Sequence, residues 1–176
     1  MGTQTIPPAA KLIIGIIASS EDIFIESEKL IEERFGAADY KSDLLDFDYT
    51  DYYQKEMGTA LKRRFMSFKQ LIDPADLAGI KLVTNDLEKV ISGKIKAPMR
   101  PVNMDPGYIT EAKLVLASTK NHCHRIYLSK GIYAEITLSY RDKSFRASDM
   151  TYQDYRSDDY REIFNHIRGI FLRQRA

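Results

Sequence analysis

The sequence predicts an α+β fold: a mostly antiparallel sheet with helices packed on one side. Three observations predict it. The chain opens strand, helix, strand, strand, helix, the start of a split βαβ, ferredoxin-like arrangement. A period-two hairpin follows at residues 125–140, and the chain closes on a helix with one apolar face.

Residues 1–10 read as a flexible tail and 11–176 as one α+β domain. Leu12 to Ala18, LIIGIIA, is a continuous apolar run of the kind that forms a buried strand. Ser19 or Ser20 caps a helix over 21–35, with Phe24, Leu30, Ile31 and Phe35 on one stripe and Gly36 at its end. Leu45 and Phe47 alternate with Asp46 and Asp48 in a second strand, which leads into a turn at Thr50 to Tyr53 that closes at Gly58. Leu61 to Phe68 is a third strand, carrying Lys62, Arg63 and Arg64. Asp73-Pro74 starts a helix that runs to about Ile91, because aspartate accepts orphan amides and proline at the first helical position loses no hydrogen bond. Its buried face is Leu77, Ile80, Thr84, Leu87 and Ile91, flanked by Val83 and Val90. A proline-bearing loop covers 94–102, and Asp105-Pro106 repeats the helix-start chemistry, predicting a helix over 106–118. The apolar run Leu114 to Ala117 within it also suits a strand.

In the hairpin, Ile132, Ala134, Ile136, Leu138 and Tyr140 alternate with Tyr133, Glu135, Thr137 and Ser139, giving one core face and one wet face. A three-residue loop, Ser129-Lys130-Gly131, sets Leu128 opposite Ile132, Tyr127 opposite Tyr133, Ile126 opposite Ala134 and Arg125 opposite Glu135 on the outer face. A short strand at Phe145, a tyrosine-rich loop and a helix from Ser157 onward complete the chain. That helix has Tyr160, Ile163, Phe164, Ile167, Ile170 and Phe171 on one face.

Composition narrows the function classes. At 176 residues and 44% hydrophobic content the chain suits one sizeable core. Its net charge of +1, from 26 basic and 25 acidic side chains, gives no global field toward nucleic acid or an anionic membrane. A single cysteine, Cys123, excludes an intrachain disulfide and suits a reducing cytoplasm. Seven apolar residues near the N-terminus are too few to span a bilayer, so no membrane partner is expected.

Several segments, KLIIGIIAS, FDYTDYYQKEMG, LKRRFMSFKQLIDP, VNMDPGYIT, KLVLASTK and HRIYLSKGIYAEITL, resemble a bacterial family known as domain of unknown function 4416. The resemblance covers nearly the whole chain and implies no catalytic residues or cofactor. Some members carry a GTP-binding label, yet the sequence has neither a G-x-x-x-x-G-K-[ST] phosphate loop nor an Asn-Lys-x-Asp motif. No GTP hydrolysis is expected.

The candidate ligand site gathers Asp48, Asn103, Asp105, Gly107, Tyr108, Lys113, Lys120, His124 and Arg125. If 106–118 is a helix, its first amides at Gly107 and Tyr108 face an anion, with Lys113, Lys120 and Arg125 close in sequence. The plainer reading makes Asp105 a helix cap, His124 a core histidine and Arg125 half of a cross-strand pair. His122 and His124, two apart in an extended segment, have the spacing for two metal ligands, but a hydrogen-bonded histidine accounts for His124 more simply, and no metal is expected. Asp46, Asp48 and Asp51 beside Tyr49, Tyr52 and Tyr53 are acid-base candidates or a solvated strand face. Two functions follow. One is binding, or processing, of a small anionic ligand such as a nucleotide or phosphorylated metabolite. The other is a non-catalytic module meeting RNA or protein through the basic strand 61–69 and the tyrosine-rich loops.

Overall fold

The first apolar run is a strand buried along its whole length, β1 (Ala10–Ala18), as a segment covered on both faces must be. The computed structural model describes residues 2–95 and 100–175; residues 96–99, including Pro98 of the expected loop, and the side chain of Asp51 lie outside the described residues. After β1 come α1 (Glu21–Phe35), β2 (Ala38–Lys41), the two-residue β3 (Leu45–Asp46), a short turn-helix α2 (Gln54–Met57), β4 (Lys62–Ile72) and α3 (Leu77–Lys94). Then follow β5 (Val102–Ile109), β6 (Lys113–Ser118), β7 (Ile126–Ser129), β8 (Ile132–Arg141), β9 (Ser144–Ala147) and α4 (Asp158–Arg175).

The strands form one sheet in the order β2-β4-β1-β5-β6-β8-β7, with β3 on β4 and β9 on β8, and every pairing among the described residues is antiparallel. β2-β4-β1-β5 with α1 and α3 is the expected ferredoxin-like arrangement. The α+β class, the opening order, the hairpin and the C-terminal helix all stand. Helices on one side only do not. Leu12, Ile14, Ile16, Met66 and Phe68 pack with Phe24 and Ile31 of α1 and Ile80 and Ile91 of α3. Ile13, Phe65, Leu116 and Leu138 point the other way and pack with Tyr160, Phe164 and Ile167 of α4. A long sheet of alternating strands with apolar residues on both faces needs cover on both.

The expected helix over 106–118 is instead β5 and β6. Tertiary pairing overrides the Asp-Pro start signal: β5 lies between β1 and β6, and Gly107 packs against β6 so tightly that a Cβ there would sit 2.4 Å from the Val115 carbonyl oxygen. Asp105 therefore caps nothing, and Gly107 and Tyr108 offer no helix amides.

The hairpin register survives by a compensation. Lys130 and Gly131 both have positive φ, 51° and 78°, so the turn has two residues and Ser129, not Leu128, pairs with Ile132. A bulge between Tyr127 and Ser129 absorbs the shift, and the expected pairs Tyr127 with Tyr133 and Ile126 with Ala134 are kept. Burial differs from expectation. β7 is an edge strand, so Ile126 and Leu128 are exposed, while Glu135 and Thr137 on the supposed wet face are buried beneath the chain that leads into α4.

Candidate functional site

β5 and β6 hold together at one end and part at the other. Their ladder joins Gly107 to Leu116, Tyr108 to Val115 and Ile109 to Leu114. The next residue of β5 is Pro106, which has no N–H to give, and pairing ends there. Asn103 and Asp105 stay on β1 while Ala117 and Ser118 stay on β8, and a cavity of about 900 Å³ is lined by both diverging strands. α3 contributes Lys81, Asn85 and Glu88 to its wall; the turn after β3 contributes Phe47, Tyr49, Tyr52 and Tyr53; the loop before α4 contributes Tyr152, Asp154 and Tyr155.

Arg63 lies at the floor, fully buried on β4. Its Nη1 donates to Asp105 Oδ2 at 3.4 Å and its Nη2 to Asp154 Oδ2 at 3.2 Å, while the guanidinium stacks over the rings of Phe47, Phe65 and Tyr155. Arg63 Nε and the Tyr155 hydroxyl are both buried, and neither has a hydrogen-bond partner among the described residues. Asp105 also accepts from Asn103 Nδ2 at 2.6 Å and lies 3.5 Å from Lys81 Nζ. Lys81 Nζ in turn donates to the Met104 carbonyl at 2.7 Å. Glu88 accepts from the Met104 amide at 2.7 Å and pairs with Arg100 at 2.9 Å, and Arg100 also donates to Asn103.

These surroundings split the carboxyls into two kinds. Burial pushes Asp105 up, but Lys81, Arg63 and Arg100 with the Asn103 amide outweigh it and hold the group below the ordinary aspartate range. At Asp154 and Glu88 burial wins, and both are raised despite Arg63 beside the first and Arg100 and Lys81 beside the second. Burial likewise raises the Tyr53 phenol well above its ordinary value.

A second cluster borders the cavity. Arg125 Nε donates to Glu135 Oε2 at 2.6 Å, its Nη1 to Ser118 Oγ at 2.8 Å and the Lys120 carbonyl at 2.9 Å, and its Nη2 to the Tyr152 hydroxyl. Arg125 is thus committed to fixing the Ser118–Lys120 turn against the Tyr152 loop. Lys120 Nζ sits 3.9 Å over the ring of Tyr52.

Of the residues singled out in the sequence, Asn103, Asp105, Lys120 and Arg125 line the cavity. His124 adjoins it through a 3.1 Å contact of Nε2 with Glu135. It is more buried than His122, as expected, but beside Glu135 and not in an inward series with Ile126 and Leu128. Asp48 is exposed and outside the lining, Gly107 is needed for strand packing, Tyr108 packs with the Leu77 cluster beneath α3, and Lys113 closes the β5–β6 turn. Among the described residues no group of three His, Cys, Asp or Glu side chains is placed to hold a metal. The cations of the basic strand are engaged within the protein: Arg63 is buried, Arg64 pairs with Glu28 at 2.6 Å and Lys62 pairs with Asp46.

Lys81, Glu88, Arg100 and Asp154 are not among the site residues expected from the sequence, and Glu135 stands out there only as the cross-strand partner of Arg125. Lys81 and Glu88 did leave a signal, since each follows an apolar face residue, Ile80 and Leu87, and they lie seven apart on one polar stripe.

A family model described as domain of unknown function (DUF4416) matches residues 8–171. The chain belongs to the DUF4416 family. No curated protein and no solved structure matches it. In this DUF4416 protein, VNMDPGYIT carries Asn103 and Asp105, LKRRF carries Arg63, and the YTDYY turn carries the aromatic wall. Among the described residues no helix of the DUF4416 protein is long and apolar enough to cross a membrane.

Proposed function

We propose that the DUF4416 protein binds a small anionic ligand, of the class of nucleotides and phosphorylated metabolites, in the cavity between β5 and β6. The observation that carries this reading is the charge of the lining among the described residues: Arg63, Lys81, Lys89, Arg100, Lys120 and Arg125 against Glu88, Asp105, Glu135 and Asp154, six cations to four carboxylates. A concave, partly aromatic lining concentrates such a field on whatever enters. Its volume, about 900 Å³, falls within the range of small-molecule sites. We also place the protein in the cytoplasm, where its free, exposed Cys123 would stay reduced.

Thermal unfolding in the presence of nucleoside monophosphates, sugar phosphates, inorganic phosphate and dicarboxylates tests the reading. A ligand of the native state raises the melting temperature in proportion to the logarithm of its concentration. Absence of such a rise for every anion would refute it.

A further inference from the structure

We infer that the ligand is a phosphate ester of a hydroxyl-bearing ring, a pentose or hexose either free or within a nucleotide, bound with its ring inward and its phosphate at the rim. This rests on the anion-binding reading above and concerns how charge is distributed within the same cavity.

The floor is balanced. Arg63, Lys81 and Arg100 are matched there by Asp105, Asp154 and Glu88, through contacts of 2.9–3.5 Å. A phosphate driven to that depth would meet three paired carboxylates and would have to separate at least one from its cation, which a largely buried pair resists. Hydroxyl groups face no such conflict, since each both donates and accepts. Asp105 keeps 24% of its side chain accessible, against 9% for Asp154 and 10% for Glu88, so it is the carboxylate an incoming hydroxyl meets.

The excess positive charge sits further out. Lys89 is paired with Asp86 at 2.8 Å on the surface. Lys120 has no carboxylate partner among the described residues; its backbone is pinned by Arg125 and by Ser118 Oγ, and its ammonium rests on Tyr52, a ring 57% exposed. A fixed backbone carrying an uncommitted ammonium is an anion contact ready at the rim.

Calorimetric titration with ribose 5-phosphate, glucose 6-phosphate, adenosine monophosphate, free ribose and inorganic phosphate tests the orientation. At least one ester should bind about tenfold or more tightly than inorganic phosphate, and whether the sugar phosphates or the nucleotide bind tighter identifies the source of the ring. Lys120→Ala, on an exposed side chain, should weaken that ester about tenfold and leave ribose binding unchanged. Inorganic phosphate binding as tightly as every ester, or Lys120→Ala leaving ester affinity unchanged, would overturn the inference while anion binding stood. No binding by any of these anions would overturn both.

Discussion

A methyl group on Gly15 would lie 2.7 Å from Nη1 of Arg63 and 2.9 Å from the ring of Phe65. The glycine in the middle of β1 is thus what lets an arginine lie flat across the sheet beneath the cavity. Gly15→Ala should cost about 1–3 kcal/mol by overpacking, and more if Arg63 is forced off Asp105 and Asp154. Urea denaturation measures the loss. A variant as stable as the wild type would mean that Arg63 is free to move.

Asp105 supplies a pH test. Its folded pKa lies below the ordinary value of 3.8, so its contribution is complete above that value and is lost as pH falls through the folded pKa. Asp105→Asn removes the carboxylate that faces Lys81 and Arg63 and should destabilise by about 3–5 kcal/mol at neutral pH. The difference from wild type should shrink as pH falls from about 4 through the folded pKa, below which the wild-type group is neutral too. Melting curves from pH 7 to the acid limit give both values. A difference that grows on acidification would contradict the assignment.

Arg125 and Lys120 line the same cavity, yet their substitution should have opposite consequences. Arg125→Ala strands the buried Glu135 carboxylate and frees the Tyr152 hydroxyl, for a loss of about 3–5 kcal/mol. Lys120→Ala touches an exposed side chain and should stay within about 0.5 kcal/mol of wild type. Equal losses would show that Lys120 is structural and not available to a ligand.

Much of the fold was legible because it rests on local signals. Period-two alternation placed β8, the apolar stripe placed α4, and Asp73-Pro74 placed the start of α3, where Asp73 does accept from the Ala75 amide. What failed depends on distant partners. Asp105-Pro106 has the local chemistry of a helix start, and only its place between β1 and β6 makes it a strand. Arg125 and Glu135 were paired correctly but assigned to water, because nothing in the hairpin announces that the loop before α4 will cover that face. The candidate site divides in the same way. Asn103, Asp105, Lys120 and Arg125 lie close together in sequence and were found, whereas Asp154 reaches Arg63 from 91 residues away.

The exposed edge gives a further contrast. Ile126 is 72% exposed and Ile132 1% exposed, although they precede and follow one turn with the same residue type. Ile132→Ala should cost about 2–5 kcal/mol and Ile126→Ala no more than about 0.5 kcal/mol. Similar losses would indicate that β7 is covered in solution.

Amide chemical-shift mapping during titration with ribose 5-phosphate and adenosine monophosphate tests the central claim most directly, because it reads where an anionic ligand binds without presupposing a reaction. The cavity account predicts saturable shifts at Asn103, Met104, Ser118, Lys120 and the Tyr152–Asp154 loop, with β7 and α1 undisturbed. Shifts confined to those two surface elements, or none at saturating ligand, would contradict it.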